Sequence, residues 1–87
     1  MYKIVLHKQP TNYYKKCPDP IARRLNNCFS RLQEEPFGPG TKKLEGELKE
    51  FRRIRTGAIR VVYRVDENKK EVRIVAVLPR GNVYKRL

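Results

Sequence analysis

Apolar residues recur with two different spacings along the chain, helical in the first half and strand-like in the second. The helical set comprises Ile21, Leu25, Cys28, Phe29 and Leu32. These residues lie at i, i+4, i+7, i+8 and i+11, which is the spacing of one apolar face of an α-helix. Asp19-Pro20 precedes them as an N-cap followed by proline at the first helical position, so the helix is predicted to start there.

Two shorter elements precede this helix, and a loop follows it. Tyr2 to Leu6 is rich in β-forming residues and predicts a first strand. Thr11 is placed to cap a short helix that Pro18 terminates. The segment from Glu34 to Gly40 contains two prolines and two glycines, which predicts a loop.

The second half of the chain predicts three strands. They are Phe51–Arg55, Ala58–Asp66 and Glu71–Leu78. Thr56-Gly57 predicts a two-residue hairpin turn, and residues 67–70 supply the next turn. The order β-α-α-β-β-β therefore predicts one α+β domain over residues 1–87, with two N-terminal helices packed on one face of a small, mostly antiparallel sheet.

Strand parity sorts the residues of this sheet between its two faces. A turn at Thr56-Gly57 would set Arg53 opposite Arg60. Because side chains alternate along a strand, the helix-facing side would then receive Ile54, Ile59, Val61, Tyr63, Val65, Val72, Ile74, Ala76 and Leu78. The opposite side would receive Arg53, Arg55, Arg60 and Arg64.

The net charge of the chain indicates what these arginines could bind. The chain carries 21 Lys+Arg against 9 Asp+Glu, a formal charge of +12, and such a surface attracts polyanions. Like charges opposed across a sheet are destabilising, and a bound phosphate or a partner's carboxylate would relieve them. The alternative is a solvated strand face with splayed guanidinium groups. Four arginines on one face of so basic a chain favour anion binding.

Composition also limits the other classes of function. No apolar run approaches the roughly 18 residues of a membrane span, and the N-terminal apolar stretch is short for a signal peptide, so a cytoplasmic location is expected. Cys17, Cys28 and the single histidine, His7, lack zinc-ligand spacing, so neither a metal nor another cofactor is expected. Both cysteines are interpreted as structural, with a disulfide as the alternative.

The central segment resembles a known signature. Residues 44–48 are Leu-Glu-Gly-Glu-Leu, and residues 51–63 are Phe-Arg-Arg-Ile-Arg-Thr-Gly-Ala-Ile-Arg-Val-Val-Tyr. This pattern is similar to the RelE/ParE toxin superfamily, as is the ending from Val77 to Tyr84. The resemblance implies the RelE-like microbial ribonuclease fold and a toxin of a type II toxin–antitoxin pair, inhibited by a small acidic antitoxin.

The superfamily has two branches with different targets. One is a ribosome-dependent mRNA endonuclease that uses the RNA 2′-OH without a metal; its partners are mRNA in the A site and rRNA. Its catalytic set corresponds here to Arg53, Arg55, Arg60, Arg80 and Tyr84. Further candidates for phosphate binding are Arg52, Arg64, Lys85 and Arg86. The other branch inhibits DNA gyrase without cutting nucleic acid, and a non-toxic RNA-binding module is a third alternative.

The chemistry assigns charge stabilisation more readily than proton transfer. A guanidinium fork matches phosphate oxygens, which suits Arg60 and Arg80, and Tyr84 suits base stacking or orientation of the 2′-OH. Lysines are common in relatives at the positions of Arg53 and Arg55, as is a histidine before the last tyrosine. A guanidinium is a poor base, so the general base is not assigned. His7 is interpreted as structural. The loop carboxylates Glu47 and Glu50 are candidates for the base, and the alternative, which the loop position favours, is that they are solvated. Strand alternation would also place Arg80 on the core face unless Pro79 or Gly81 bends the strand.

Overall fold

The apolar face of the second helix packs against one side of a five-stranded sheet. In the computed structural model, which describes residues 1–79, the elements run in this order: β1 (Lys3–Leu6), α1 (Lys8–Lys16), α2 (Asp19–Glu34), β2 (Thr41–Lys43), a short 3₁₀ turn (Gly46–Leu48), β3 (Arg52–Thr56), β4 (Ile59–Asp66) and β5 (Glu71–Leu78). The strand order across the sheet is β1-β5-β4-β3-β2. β1 pairs with β5 in parallel and all other neighbours are antiparallel, so the predicted α+β fold is confirmed.

The core lies between the helices and this sheet. Leu25, Cys28, Phe29 and Leu32 of α2 are buried, as the helical stripe predicts, and Ile21 packs partly against the same cluster. The sheet contributes Ile54, Ile59, Val61, Tyr63, Val72, Ile74 and Val77. Tyrosines of α1 pack against this cluster as well, so both helices cover one side of the sheet, and among residues 1–79 no helix covers the other side.

Both helices begin earlier than the sequence signals predict. α1 starts at Lys8, and Thr11 lies inside it, with its hydroxyl donating to the His7 carbonyl at 2.8 Å. Pro10 falls in the first turn, where its missing N–H has no helical partner to lose. Pro18 takes the N-cap position of α2, and Asp19 is its first helical residue rather than the cap.

One strand was not predicted. β2 has three residues, Thr41–Lys43, and pairs with β3 at the edge of the sheet. Its sequence, Thr-Lys-Lys, has no apolar alternation, so nothing in its pattern separates it from the preceding loop. Within residues 1–79, no helix is both long and apolar enough to cross a membrane.

Cys28 provides a chemical test of the core. Burial raises the pKa of its thiol to about 11, and both Cys17 and Cys28 are free thiols. The thiolate is the reactive form, so a pKa shift of about two units lowers the reactive fraction about 100-fold. In a Cys17→Ser variant at pH 8, Cys28 is expected to react with a disulfide reagent at least about 100-fold more slowly in the native protein than in urea. Comparable rates in the two conditions would contradict this packing.

Candidate nucleic-acid interface

The side of the sheet that faces away from α1 and α2 carries the predicted arginines. Ile54 and Val61 face each other in the core, so the alternating neighbours point the other way. We call this surface the arginine face and define it by Arg53, Arg55, Arg60 and Arg64. The prediction that these side chains share one side of the sheet is therefore confirmed.

The register of the β3–β4 hairpin differs from the prediction by two residues. The turn is Gly57-Ala58, because Gly57 adopts φ +64° and so takes the first central position of a type II′ turn. Arg55 consequently lies opposite Arg60, and Arg53 lies opposite Val62. The predicted Arg53–Arg60 pairing is wrong, but a shift of two residues keeps every side chain on its predicted face.

An irregularity in β5 moves two residues onto the arginine face. Val62 pairs with Ala76, whereas Tyr63 pairs with Ile74, so Val75 is the extra residue of a β-bulge. The bulge reverses the alternation after Ile74. The prediction that Ala76 and Leu78 share the core face is therefore wrong; Ala76 lies opposite Val62, and Leu78 lies opposite Arg60.

The bulge also removes the reason to expect a bend before Arg80. That expectation assumed that Leu78 faces the core, whereas Leu78 faces the same way as Arg60. The predicted site residues Arg80, Tyr84, Lys85 and Arg86 lie outside the described residues, and their roles stay predictions.

Carboxylates neutralise one part of the arginine face. Arg64 lies opposite Arg73, which the sequence analysis did not single out. Arg64 is 3.8 Å from a Glu50 carboxylate oxygen, and Arg73 is 3.2 Å from a Glu71 carboxylate oxygen. His7 lies at the end of β1, with Nε2 3.4 Å from a guanidinium nitrogen of Arg73. It stands three strand spacings, about 14 Å, from β3, which carries Arg53 and Arg55.

At the hairpin end of the face, Arg53 and Arg55 differ from Arg64 and Arg73 in their surroundings. Among residues 1–79, no carboxylate lies within salt-bridge distance of Arg53 or Arg55. A shallow depression of about 200 Å³ at this end is lined by Arg55, Gly57, Ala58 and Arg60. Cross-strand opposition of Arg55 and Arg60 concentrates positive charge beside it. This depression, with two arginines in its lining, is the candidate anion-binding position on the arginine face.

Arg52 does not join the other arginines. It shares a side of the sheet with Tyr63, facing the helices. Its Nη2 donates to the Thr41 hydroxyl at 2.9 Å, and its guanidinium lies 5.1 Å from the centre of the Phe37 ring. Arg52 thus holds the loop after α2 against β3. The loop carboxylate Glu47 is exposed, as expected, in the 3₁₀ turn.

The chain resembles known toxins in sequence and in fold. Residues 4–84 match the family described as the ParE toxin of the type II toxin–antitoxin system, parDE. No curated protein sequence matches.

Among solved structures, RelE in the archaeal RelE–RelB complex from Pyrococcus horikoshii OT3 is 30% identical, with a TM-score of 0.78. The alignment covers 94% of this chain and 98% of that chain. A chain of the RelBE2 toxin–antitoxin complex from Mycobacterium tuberculosis is 28% identical, with a TM-score of 0.77 and coverage of 88% and 95%. The isolated E. coli RelE toxin shares the fold at 20% identity, with a TM-score of 0.79 and coverage of 99% and 94%. The chain therefore belongs to the RelE/ParE family of toxins of type II toxin–antitoxin systems.

Proposed function

We propose that this toxin is an endoribonuclease that cleaves mRNA in the ribosomal A site without a metal ion. The observation that carries the proposal is the hairpin end of the arginine face, where Arg53, Arg55 and Arg60 point to one side of the sheet. A guanidinium fork bonds two phosphate oxygens at once, so this surface suits an RNA backbone.

Each of these side chains then has a separate task. Cleavage forms a bond between the 2′-oxygen and phosphorus and breaks the bond from phosphorus to the 5′-oxygen. A base takes the 2′-proton, and the departing 5′-oxygen receives a proton, which leaves a 2′,3′-cyclic phosphate and a 5′-hydroxyl. Arg60 is assigned to stabilise the charge that develops on the phosphate oxygens. Arg53 and Arg55 hold the flanking backbone, and Arg80 and Tyr84 complete the proposed set.

Other basic residues have smaller proposed parts. Arg64 forms an exposed ion pair with Glu50, with the two groups 3.8 Å apart. An RNA phosphate can replace the Glu50 carboxylate at little cost in free energy, because exposed ion pairs are weak. Arg52, by contrast, is engaged by Thr41 and Phe37 on the helix side, so its proposed phosphate contact needs RNA to reach past the sheet edge. Lys85 and Arg86 are proposed to bind rRNA.

The proposed regulatory partner is a small acidic antitoxin. Two similar chains, 28% and 30% identical to this one, come from complexes of a toxin with its antitoxin, named RelBE2 and RelE–RelB. A chain of charge +12 presents an electrostatic surface that an acidic polypeptide complements. Antitoxin carboxylates are expected to compete with RNA for the arginine face.

A second candidate is inhibition of DNA gyrase without cleavage. The observation that favours it is the match of residues 4–84 to the family described as ParE toxin. In that case the basic surface serves protein or DNA contacts, and the arginines need no place in a reaction.

Cleavage on the ribosome distinguishes the two candidates. Primer extension on ribosomes programmed with a defined mRNA is expected to show a new 5′ end within the A-site codon after addition of the toxin. Gyrase supercoiling in the presence of the same toxin preparation is expected to be unchanged. Intact mRNA at excess toxin, together with loss of supercoiling, would establish the gyrase alternative instead.

A further inference from the structure

A second basic depression lies on the helix side of the β3–β4 hairpin. It has a volume of about 120 Å³ between α2 and the end of β3, and it is lined by Arg24, Asn27, Cys28, Arg31, Ile54, Arg55 and Thr56. Three of these seven residues carry guanidinium groups and none carries a carboxylate. We infer that this depression binds a backbone phosphate of the RNA on the arginine face, so that the strand continues around the hairpin tip. The choice of RNA rests on the proposed function.

The two depressions adjoin at Arg55. The one on the arginine face is lined by Arg55, Gly57, Ala58 and Arg60, and Arg55 also lines the one beside α2. Only the two-residue turn Gly57-Ala58 separates the two sides of the sheet at this point. A nucleic-acid strand therefore meets guanidinium groups continuously as it passes the hairpin tip.

Arg24 of α2 extends this track to the hairpin turn. Its guanidinium lies directly against Gly57, in the space that a side chain at that position would enter. The φ of +64° at Gly57 is itself sufficient reason for glycine in the turn. Arg24 lies in α2, so a helix fixes its backbone and its guanidinium adds to those of the strand arginines.

The arginines that line this depression form no ion pair with a carboxylate among residues 1–79. Within the part of the chain that the structure describes, no salt bridge involves Arg24, Arg31 or Arg55. Arg31 is oriented by donating from Nη2 to the Pro39 carbonyl at 2.9 Å. That bond uses one of its five N–H donors and leaves the others for an anion. Asn27 adds a neutral amide to the same depression.

The size of the depression favours a phosphate over a protein segment. A volume of about 120 Å³ admits a compact anion but not the apolar side of a partner helix. Three of its lining residues from α2, Arg24, Asn27 and Arg31, are exposed and polar, so it offers a docking helix few apolar contacts. An acidic peptide at this depression is therefore the outcome that would contradict the inference.

The test is the salt dependence of RNA binding by the full chain. Fluorescence anisotropy would follow a labelled single-stranded RNA oligonucleotide bound to wild type and to an Arg24→Ala/Arg31→Ala variant over a range of KCl concentrations. Loss of one or two phosphate contacts is expected to make the slope of log K against log[salt] shallower by about 0.7 to 1.4. Affinity at fixed salt is expected to fall about tenfold, the equivalent of one charge-assisted hydrogen bond.

Two comparison variants separate this site from general charge and from folding. Lys3→Ala/Lys69→Ala removes the same charge from exposed positions at the far end of the sheet, one eight-residue strand or about 25 Å from the turn, and should leave the slope closer to that of wild type. Arg24→Lys/Arg31→Lys keeps the charge and should retain the wild-type slope with weaker binding. Equal slope changes in the alanine variant and the far-end control would overturn the inference.

Two further outcomes keep the site and the proposed function separate. An unchanged RNA slope in Arg24→Ala/Arg31→Ala, together with lost binding of an acidic peptide, would assign the depression to a protein partner and overturn the inference. Because the RNA measurement needs no cleavage, a shallower slope supports the site even if wild-type toxin leaves ribosome-bound mRNA intact. Conversely, cleavage by wild type with no slope change would leave the proposed function standing and remove this site.

Discussion

Replacing Arg60 with alanine is expected to lower the rate of mRNA cleavage on the ribosome about 100- to 1000-fold, the usual effect of removing one group that stabilises transition-state charge. Arg60 lies at the hairpin end of the arginine face, opposite Arg55 and in the same depression. Its side chain points away from the helix-side core, so its loss leaves that packing intact. Single-turnover cleavage at saturating toxin measures the effect on the chemical step.

Arg64→Ala is the matched control for Arg60→Ala. Arg64 lies on the same strand and the same face, four residues further along β4, outside the depression at the hairpin end. It is paired with Glu50 at 3.8 Å. Its loss is expected to weaken RNA binding less than tenfold and to leave the single-turnover rate near that of wild type. Circular dichroism should show both variants folded. Equal rates for Arg60→Ala and wild type would refute the role assigned to Arg60.

The faces of the hairpin could be predicted from the sequence, but its register could not. Alternation of Ile54, Ile59, Val61 and Tyr63 is enough to place the arginines on the opposite side. The register depends on which two residues form the turn. Gly57 carries that information, because a type II′ turn takes glycine first, and assigning it to the second position produced the wrong pairing.

The bulge in β5 had no visible signal in the sequence. Residues 74–78 are all apolar, Ile-Val-Ala-Val-Leu, so the run contains no alternation that fixes which side chains face the core. A β-bulge within such a run changes the face without changing the composition. Just past the bulge, the side chain of Gln9 takes the place of a neighbouring strand. Its amide nitrogen donates to the Val77 carbonyl and its amide oxygen accepts from the Val77 N–H, both at 2.8 Å.

The helix-side depression depends on tertiary contacts that periodicity does not report. Arg24 and Arg31 lie off the apolar stripe of α2, where a helical pattern predicts only exposure. The proximity of Arg24 to Gly57 follows from how α2 packs on the sheet. The Arg64–Glu50 contact was equally hidden, because Glu50 lies outside the strands and no alternation places it.

Replacing Tyr63 with alanine is expected to cost about 3–5 kcal/mol of unfolding free energy, a large share of the about 5–15 kcal/mol typical of a small domain. Tyr63 is fully buried in the core, and its hydroxyl donates to the Pro36 carbonyl in the loop after α2. Burial is the main cause that raises the pKa of its phenol. The tyrosine that ends the family signature therefore has a structural task here: it ties that loop to β4.

Tyr63→Phe separates the ring from the hydroxyl. The phenylalanine ring keeps the core filled and leaves the Pro36 carbonyl without its donor, so a loss of about 1–2 kcal/mol is expected. Urea denaturation followed by circular dichroism measures both variants, with an unchanged m-value indicating the same exposed surface. Equal losses for Tyr63→Phe and Tyr63→Ala would show that the hydrogen bond, rather than packing, carries the stabilisation. Because Arg52 and Thr41 lie beside this tyrosine, the alanine variant is also expected to loosen the edge strand β2.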